Sequence, residues 1–136
     1  MKSTLILADA ATGNEDGTYS LLRAGISELR VPTGQPLFFT GALVSRLEAT
    51  PADKGSYEVS IRFQTDGGEL IGKPTSLKFE VGDTKQSVLN AVMAFHVQLP
   101  KLGRYEFSLF IDGKKIDSTF LDAIPVVDVP HPKVAK

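Results

Sequence analysis

The sequence contains no cysteine and no tryptophan. The first absence excludes disulfides, thiol nucleophiles and thiolate-bound metal. The second removes the best stacking platform for a sugar or other flat ligand. Charge of either sign is not in excess, with 15 basic and 16 acidic residues spread along 136 positions and a net charge of −1. No basic stripe is present for a phosphate backbone, which argues against nucleic acid as a partner. Long hydrophobic runs are also missing. No segment approaches the ~18 apolar residues of a membrane span. The patch Leu5 to Ala8 after Lys2 is cut by Asp9, well short of the roughly 7–15 apolar residues of a secretory core. The expectation is a soluble cytoplasmic chain without a membrane partner.

What is present is alternation. In "SYEVSIRFQ", Tyr57, Val59, Ile61 and Phe63 share one face; in "SLKFEV", Leu77, Phe79 and Val81 do. In "VLNAVMAFHVQL" the set is Leu89, Ala91, Met93, Phe95, Val97 and Leu99, although Val88 to Ala94 also tolerates a short helical start. Period-two patterning of this kind marks half-buried strands. Turn signals separate them at 12–17, 32–36, 50–55, 65–68, 81–85, 100–103 and 112–113, where Gly, Pro, Asp and Asn favour reversal. No amphipathic helical pattern lies between strands, so a parallel α/β sheet is disfavoured. The predicted fold is all-β, an antiparallel two-sheet sandwich of about eight strands. It forms a single domain over 1–127, and the proline-containing segment 128–136 reads as a loose tail.

The stretch "GRYEFSLFIDGKKID" sharpens this reading. Tyr105 follows Gly103 just past the corner "PKLG". The spacing is similar to the tyrosine corner of immunoglobulin-like sandwiches, in which the hydroxyl bonds back to the backbone of the crossover. Phe107 stands where antibody domains carry a cysteine, so the architecture alone transfers. Asp112-Gly113 suits a two-residue type I′ hairpin. From "LILADAA" through "GRYEFSLFIDGK" to "IPV", the chain resembles an uncharacterised family of short bacterial β-sandwich proteins. The resemblance implies a fold and a bacterial, non-secreted setting; it carries over no activity and no site residues.

Motifs that suggest chemistry fail on inspection. "GGELIGKPT" approaches a phosphate-binding loop, but Pro74 stands where a Ser or Thr must reach Mg²⁺, and no helix follows. "TGNEDGTYSLLR" offers Asn14 and Asp16 to a Ca²⁺ ion, yet Thr12 opens the loop and Arg23 replaces the bidentate Glu. Of two histidines, His131 lies in the tail and His96 sits mid-strand, with no nucleophile motif. One usable histidine also makes a zinc site improbable. The only enzymatic constellation is Asp9 with Asp122, which interrupt the terminal strands and would meet if those strands lay side by side. We therefore expect no catalytic, cofactor-binding or metal-binding residues.

The informative feature is a face that is too apolar. In "PLFFTGALVSRL", Leu37, Phe39, Leu43 and Leu47 form the inward set, leaving Phe38, Ala42 and Val44 outside. If the 88–99 strand is its neighbour, Val92, Ala94 and His96 join the same patch. Phe38, Ala42, Val44, Val92, Ala94 and His96 are thus the candidate interaction face, unless residues 12–31 fold over it. The expected role is a non-enzymatic interaction or structural module, working through this face or an edge strand. The partner is another protein or a second copy, as in a homodimer, with no cofactor. Val44→Glu is the natural test. The alternative is a small-ligand or carbohydrate-binding sandwich using loops 49–56 and 65–74. A carboxylate-dependent hydrolase ranks below both.

Overall fold

The structure is a computed structural model that describes residues 1–32 and 34–126; the tail 128–136 lies outside the described residues. Ten strands follow in chain order: β1 Lys2–Ala8, β2 Ala10–Gly13, β3 Tyr19–Leu22, β4 Glu28–Val31, β5 Phe38–Ala49, β6 Gly55–Thr65, β7 Thr75–Val81, β8 Ser87–Gln98, β9 Gly103–Ile111 and β10 Lys114–Pro125. Eight of them make two sheets, ordered β1-β5-β8 and β4-β10-β9-β6-β7, and β2 with β3 forms a separate hairpin. The order within the sheets is that of an immunoglobulin-like sandwich: the first, second and fifth core strands oppose a sheet built on the third, sixth and seventh. Two details depart from the sequence reading. The pairing of β4 with β10 is parallel, and β8 is strand throughout, with no helical start.

Alternation sets the core. Leu43, Leu47, Phe107, Leu109 and Leu121 are fully buried, with Leu7, Phe39, Val59 and Tyr105 nearly so. The inward residues of β6 and β9 face those of β5 and β8 across the sandwich. Phe63 stacks on Phe107 at 4.1 Å, and Phe39 meets Phe107 edge-on at 6.0 Å. This aromatic contact ties β5 to β9 by packing alone. Rings at these separations add roughly 0.5–1.5 kcal/mol per pair to their area burial.

The corner forms as the sequence indicates. The Tyr105 hydroxyl donates to the Lys101 carbonyl at 2.6 Å and accepts from the Lys101 N–H at 3.2 Å. Asp112 and Gly113 have φ of 49° and 81°, the two positive values that a type I′ turn requires. The Asp112 carboxylate also accepts the Glu58 N–H at 2.8 Å, fastening the hairpin to β6.

Candidate functional site: the outer face of the three-stranded sheet

Register fixes which side chains share this face. Val44 lies opposite Ile6 and Val92, Ala42 opposite Ala8 and Ala94, and Thr40 opposite His96. Cross-strand partners point the same way, so the predicted patch is one surface. Its exposure is uneven. Ala8, Ala42 and Val44 are buried, although none of them belongs to the core between the sheets.

The cover is the β2–β3 hairpin. The Tyr19 hydroxyl reaches the Ser45 carbonyl at 3.4 Å, and Asn90 donates to the Gly17 carbonyl at 3.4 Å. Burial against the sheet pushes the Tyr19 phenol up. The hairpin's own turn is held by Asp16, which accepts from the Thr18 N–H at 3.1 Å, and by Asn14, which donates to Thr18 and Ser20. This is the chain reversal that the turn signal at 12–17 predicts. Ala42 and Val44, which alternation places on the open face, are therefore closed off, because residues 10–22 fold back over that half of it. Val44→Glu would bury a carboxylate instead of probing a surface.

The other half stays open. Phe38, Ala94 and His96 are exposed, and Val92 is half-buried. Phe38 stacks on the His96 ring with centroids 5.6 Å apart and planes within 9°. Thr40 Oγ1 lies 2.7 Å from His96 Nδ1. Between this open half and the base of the hairpin is a notch of about 360 Å³, lined by Asp9, Ala10, Ala11, Thr40, Gly41, Ala42, Ala94, Phe95 and His96.

The other proposed sites do not assemble. Asp9 pairs with Arg23 at 3.1 Å, and Asp122 with Arg104 at 2.8 and 3.1 Å. β1 and β10 sit in opposite sheets, and no hydrogen bond joins the two carboxylates among the described residues. The hydrogen bonds from Arg104 hold the Asp122 carboxyl below its usual range, which suits an ion pair and not a proton carrier. Loops 49–56 and 65–74 flank the two ends of β6, whose 11 residues separate them by about 35 Å. They lie at opposite ends of the sandwich and cannot line one pocket. The strand-to-strand loop after β6 contains no helix to aim at a phosphate. Among the described residues no cluster of three metal-ligating side chains occurs, and no helix is long and apolar enough to cross a membrane.

The outer face of the five-stranded sheet holds what the sequence reading missed. Glu58, Arg62, Arg104 and Glu106 look simply solvated in sequence. In the structure Arg62 lies 4.3 Å over Phe110 and Arg104 lies 5.0 Å over Phe120. Glu106 bonds Lys115 and the fully buried Ser108. Arginine thus lies over Phe110 and Phe120, as cation–π pairing allows, although Phe120 keeps 40% of its surface in solvent. The signal was an arginine and a phenylalanine on neighbouring strands, which becomes visible only when the register is known.

A comparison with curated proteins finds no match. A family model does match, over residues 3–124, the span of both sheets up to the last residues of β10. The chain belongs to that family, DUF6941, a family of unknown function.

Proposed function

We propose that the chain is a non-enzymatic interaction module of the bacterial cytoplasm, whose partner is a protein and whose working surface is the β8 side of the three-stranded sheet. The observation that supports this reading is the asymmetry between the two outer faces. One sets Arg62, Arg104 and the Glu106–Lys115 pair among its apolar side chains. The other leaves Phe38, Ala94 and His96 open beside a strand without a single charged residue. Uncovered apolar surface on an otherwise charged domain is the usual mark of a docking face.

Self-association is the version to test first, because a symmetric dimer is the commonest way to bury such a face. Light scattering on a sizing column at several concentrations gives the molar mass of the native chain and of Ala94→Glu. A dimer that becomes monomeric in the variant, with unchanged circular dichroism, supports the second copy as partner. A monomer at every concentration removes it, and a dimer indifferent to Ala94→Glu moves the interface elsewhere.

A further inference from the structure

Four strands end the two sheets, and three of these edges are guarded. β4 has four residues, with Glu28 and Arg30 among them; β7 carries Lys78 and Glu80 and follows Pro74. β1 is tied down, since the Leu7 carbonyl accepts from both Gly25 and Ile26, and Ser3 donates to Asp117 at 2.8 Å. Short length, charge, proline and covering segments are the ordinary ways of blocking an edge. β8 has neither short length, charge nor proline to block it, and the β2–β3 hairpin, which reaches it through the Asn90 side chain and the Gly17 carbonyl, makes no ladder with it. The β8 strand runs 12 residues, SVLNAVMAFHVQ, without charge, proline or glycine.

The direction of its backbone groups follows from one bond. The Leu99 N–H donates to the Leu37 carbonyl at 2.7 Å, one step beyond the Phe38–Gln98 pair of the β5 ladder. Antiparallel ladders alternate, so the odd-numbered residues of β8 bond to β5. Val88, Asn90, Val92, Ala94, His96 and Gln98 then turn their N–H and C=O groups to the free side. No turn or loop bond reaches them among the described residues.

We propose that this edge takes up a single extended segment of another polypeptide, added antiparallel as a fourth strand of the three-stranded sheet. The proposal rests on the reading of the chain as an interaction module and names the partner's form. The offset of the sheets selects a lone strand. Ser3 of β1 bonds Asp117 of β10, so β1 lies over β10, and counting along the two strand orders from there sets β5 over β9 and β8 over β6, where the Phe95 ring touches both Phe63 at 5.8 Å and Phe107 at 5.2 Å. β7 therefore extends one strand further out. An added strand lies about 4.8 Å from β8 and about 10 Å above β7. Its inward side chains meet Leu77, Met93, Phe95 and Val97, all half-buried, which calls for neutral apolar residues at every second position. A second copy does not fit this edge. Twofold antiparallel pairing of β8 with β8 keeps both five-stranded sheets on one side, where β7 of each copy would occupy the place of β6 in the other.

The test uses a synthetic ten-residue probe, acetyl-Lys-Val-Thr-Val-Thr-Val-Thr-Val-Thr-Lys-amide, titrated into the native chain. With Val inward, the Thr N–H groups face β8 and the Val N–H groups face solvent. We expect saturable binding that weakens by more than about tenfold when the Thr amides are N-methylated and is retained when the Val amides are. Hydrogen exchange on the complex should newly protect the amides of Val92, Ala94 and His96, while those of Met93 and Phe95 are slow throughout. The same affinity for both methylated probes, no binding of the parent probe, or protection elsewhere would overturn the edge. Ala94→Glu acts through the face and N-methylation through the backbone, so loss of the edge leaves the face result standing.

Discussion

At the scale of single residues, the structure concentrates its demands on a few positions. Tyr105 is one, since its hydroxyl fills both bonding positions of Lys101 while its ring is buried. Tyr105→Phe leaves those two backbone groups without their partner and should cost about 1–3 kcal/mol, read as a lower urea midpoint at unchanged slope. Gly41 is another. A Cβ there would stand 2.7 Å from the Phe39 ring and 2.9 Å from the Ala8 carbonyl. The ring can swing aside but the β1 backbone resists, so Gly41→Ala should destabilise by about 1–3 kcal/mol. For Glu106, burial pushes the carboxyl up, but bonds from Lys115 and Ser108 outweigh it and hold the group below its ordinary value. Asp122 and Asp16 are held low by bonds from Arg104 and Thr18 respectively. A carboxyl with a depressed folded pKa contributes stability above its unfolded value, and that contribution is lost as pH falls through the folded one. Stability should therefore be level from about pH 5 to 7 and decline below about pH 4. Glu106→Gln should flatten part of the decline in urea titrations run across that range.

At the scale of elements, the long strands were legible and the short ones were not. Residues Val59, Ile61 and Phe63 announce their strand because each inward side chain is apolar and each outward one polar, and burial follows that pattern. β2 and β3 give no such signal. Each has four residues, mostly exposed, and Leu21 and Leu22 follow one another in solvent. Their strand state comes from pairing with each other and from docking on Ala42 and Val44, neither of which periodicity records. The same docking explains why half the predicted face closed while Phe38 and His96 stayed open. Val44→Glu now has a different expected outcome: a carboxylate buried without a partner, relieved by lifting the hairpin. Hydrogen exchange should show faster amides across Ala10–Leu22 and little change in β9. Uniform acceleration through both sheets would mean instead that the hairpin and sandwich unfold together.

At the scale of the whole molecule, the sheets join distant parts of the chain. β4 lies beside β10, pairing Val31 with Pro125, and β1 packs across from β10 through Ser3 and Asp117. Closing such loops before their contacts form is slow, so refolding should take milliseconds to seconds, followed by tyrosine fluorescence after dilution from urea. Completion within microseconds would contradict that topology. Sequence pattern supplied the two layers and the tyrosine corner, because both are written in local spacing. It did not supply the parallel β4–β10 pair or the free edge of β8, because these depend on which strands become neighbours. The excursion from Asp9 to Ala24 has a further consequence. It leaves and rejoins the sandwich at one point, where the Leu7 carbonyl accepts from Gly25 at 2.7 Å and Ile26 at 3.1 Å. A segment clasped at its root in this way can be lengthened, shortened or exchanged without shifting the register of either sheet. The hairpin is in that sense a replaceable shutter: evolution, or a designer, can set how much of the face is shown while the scaffold beneath stays fixed.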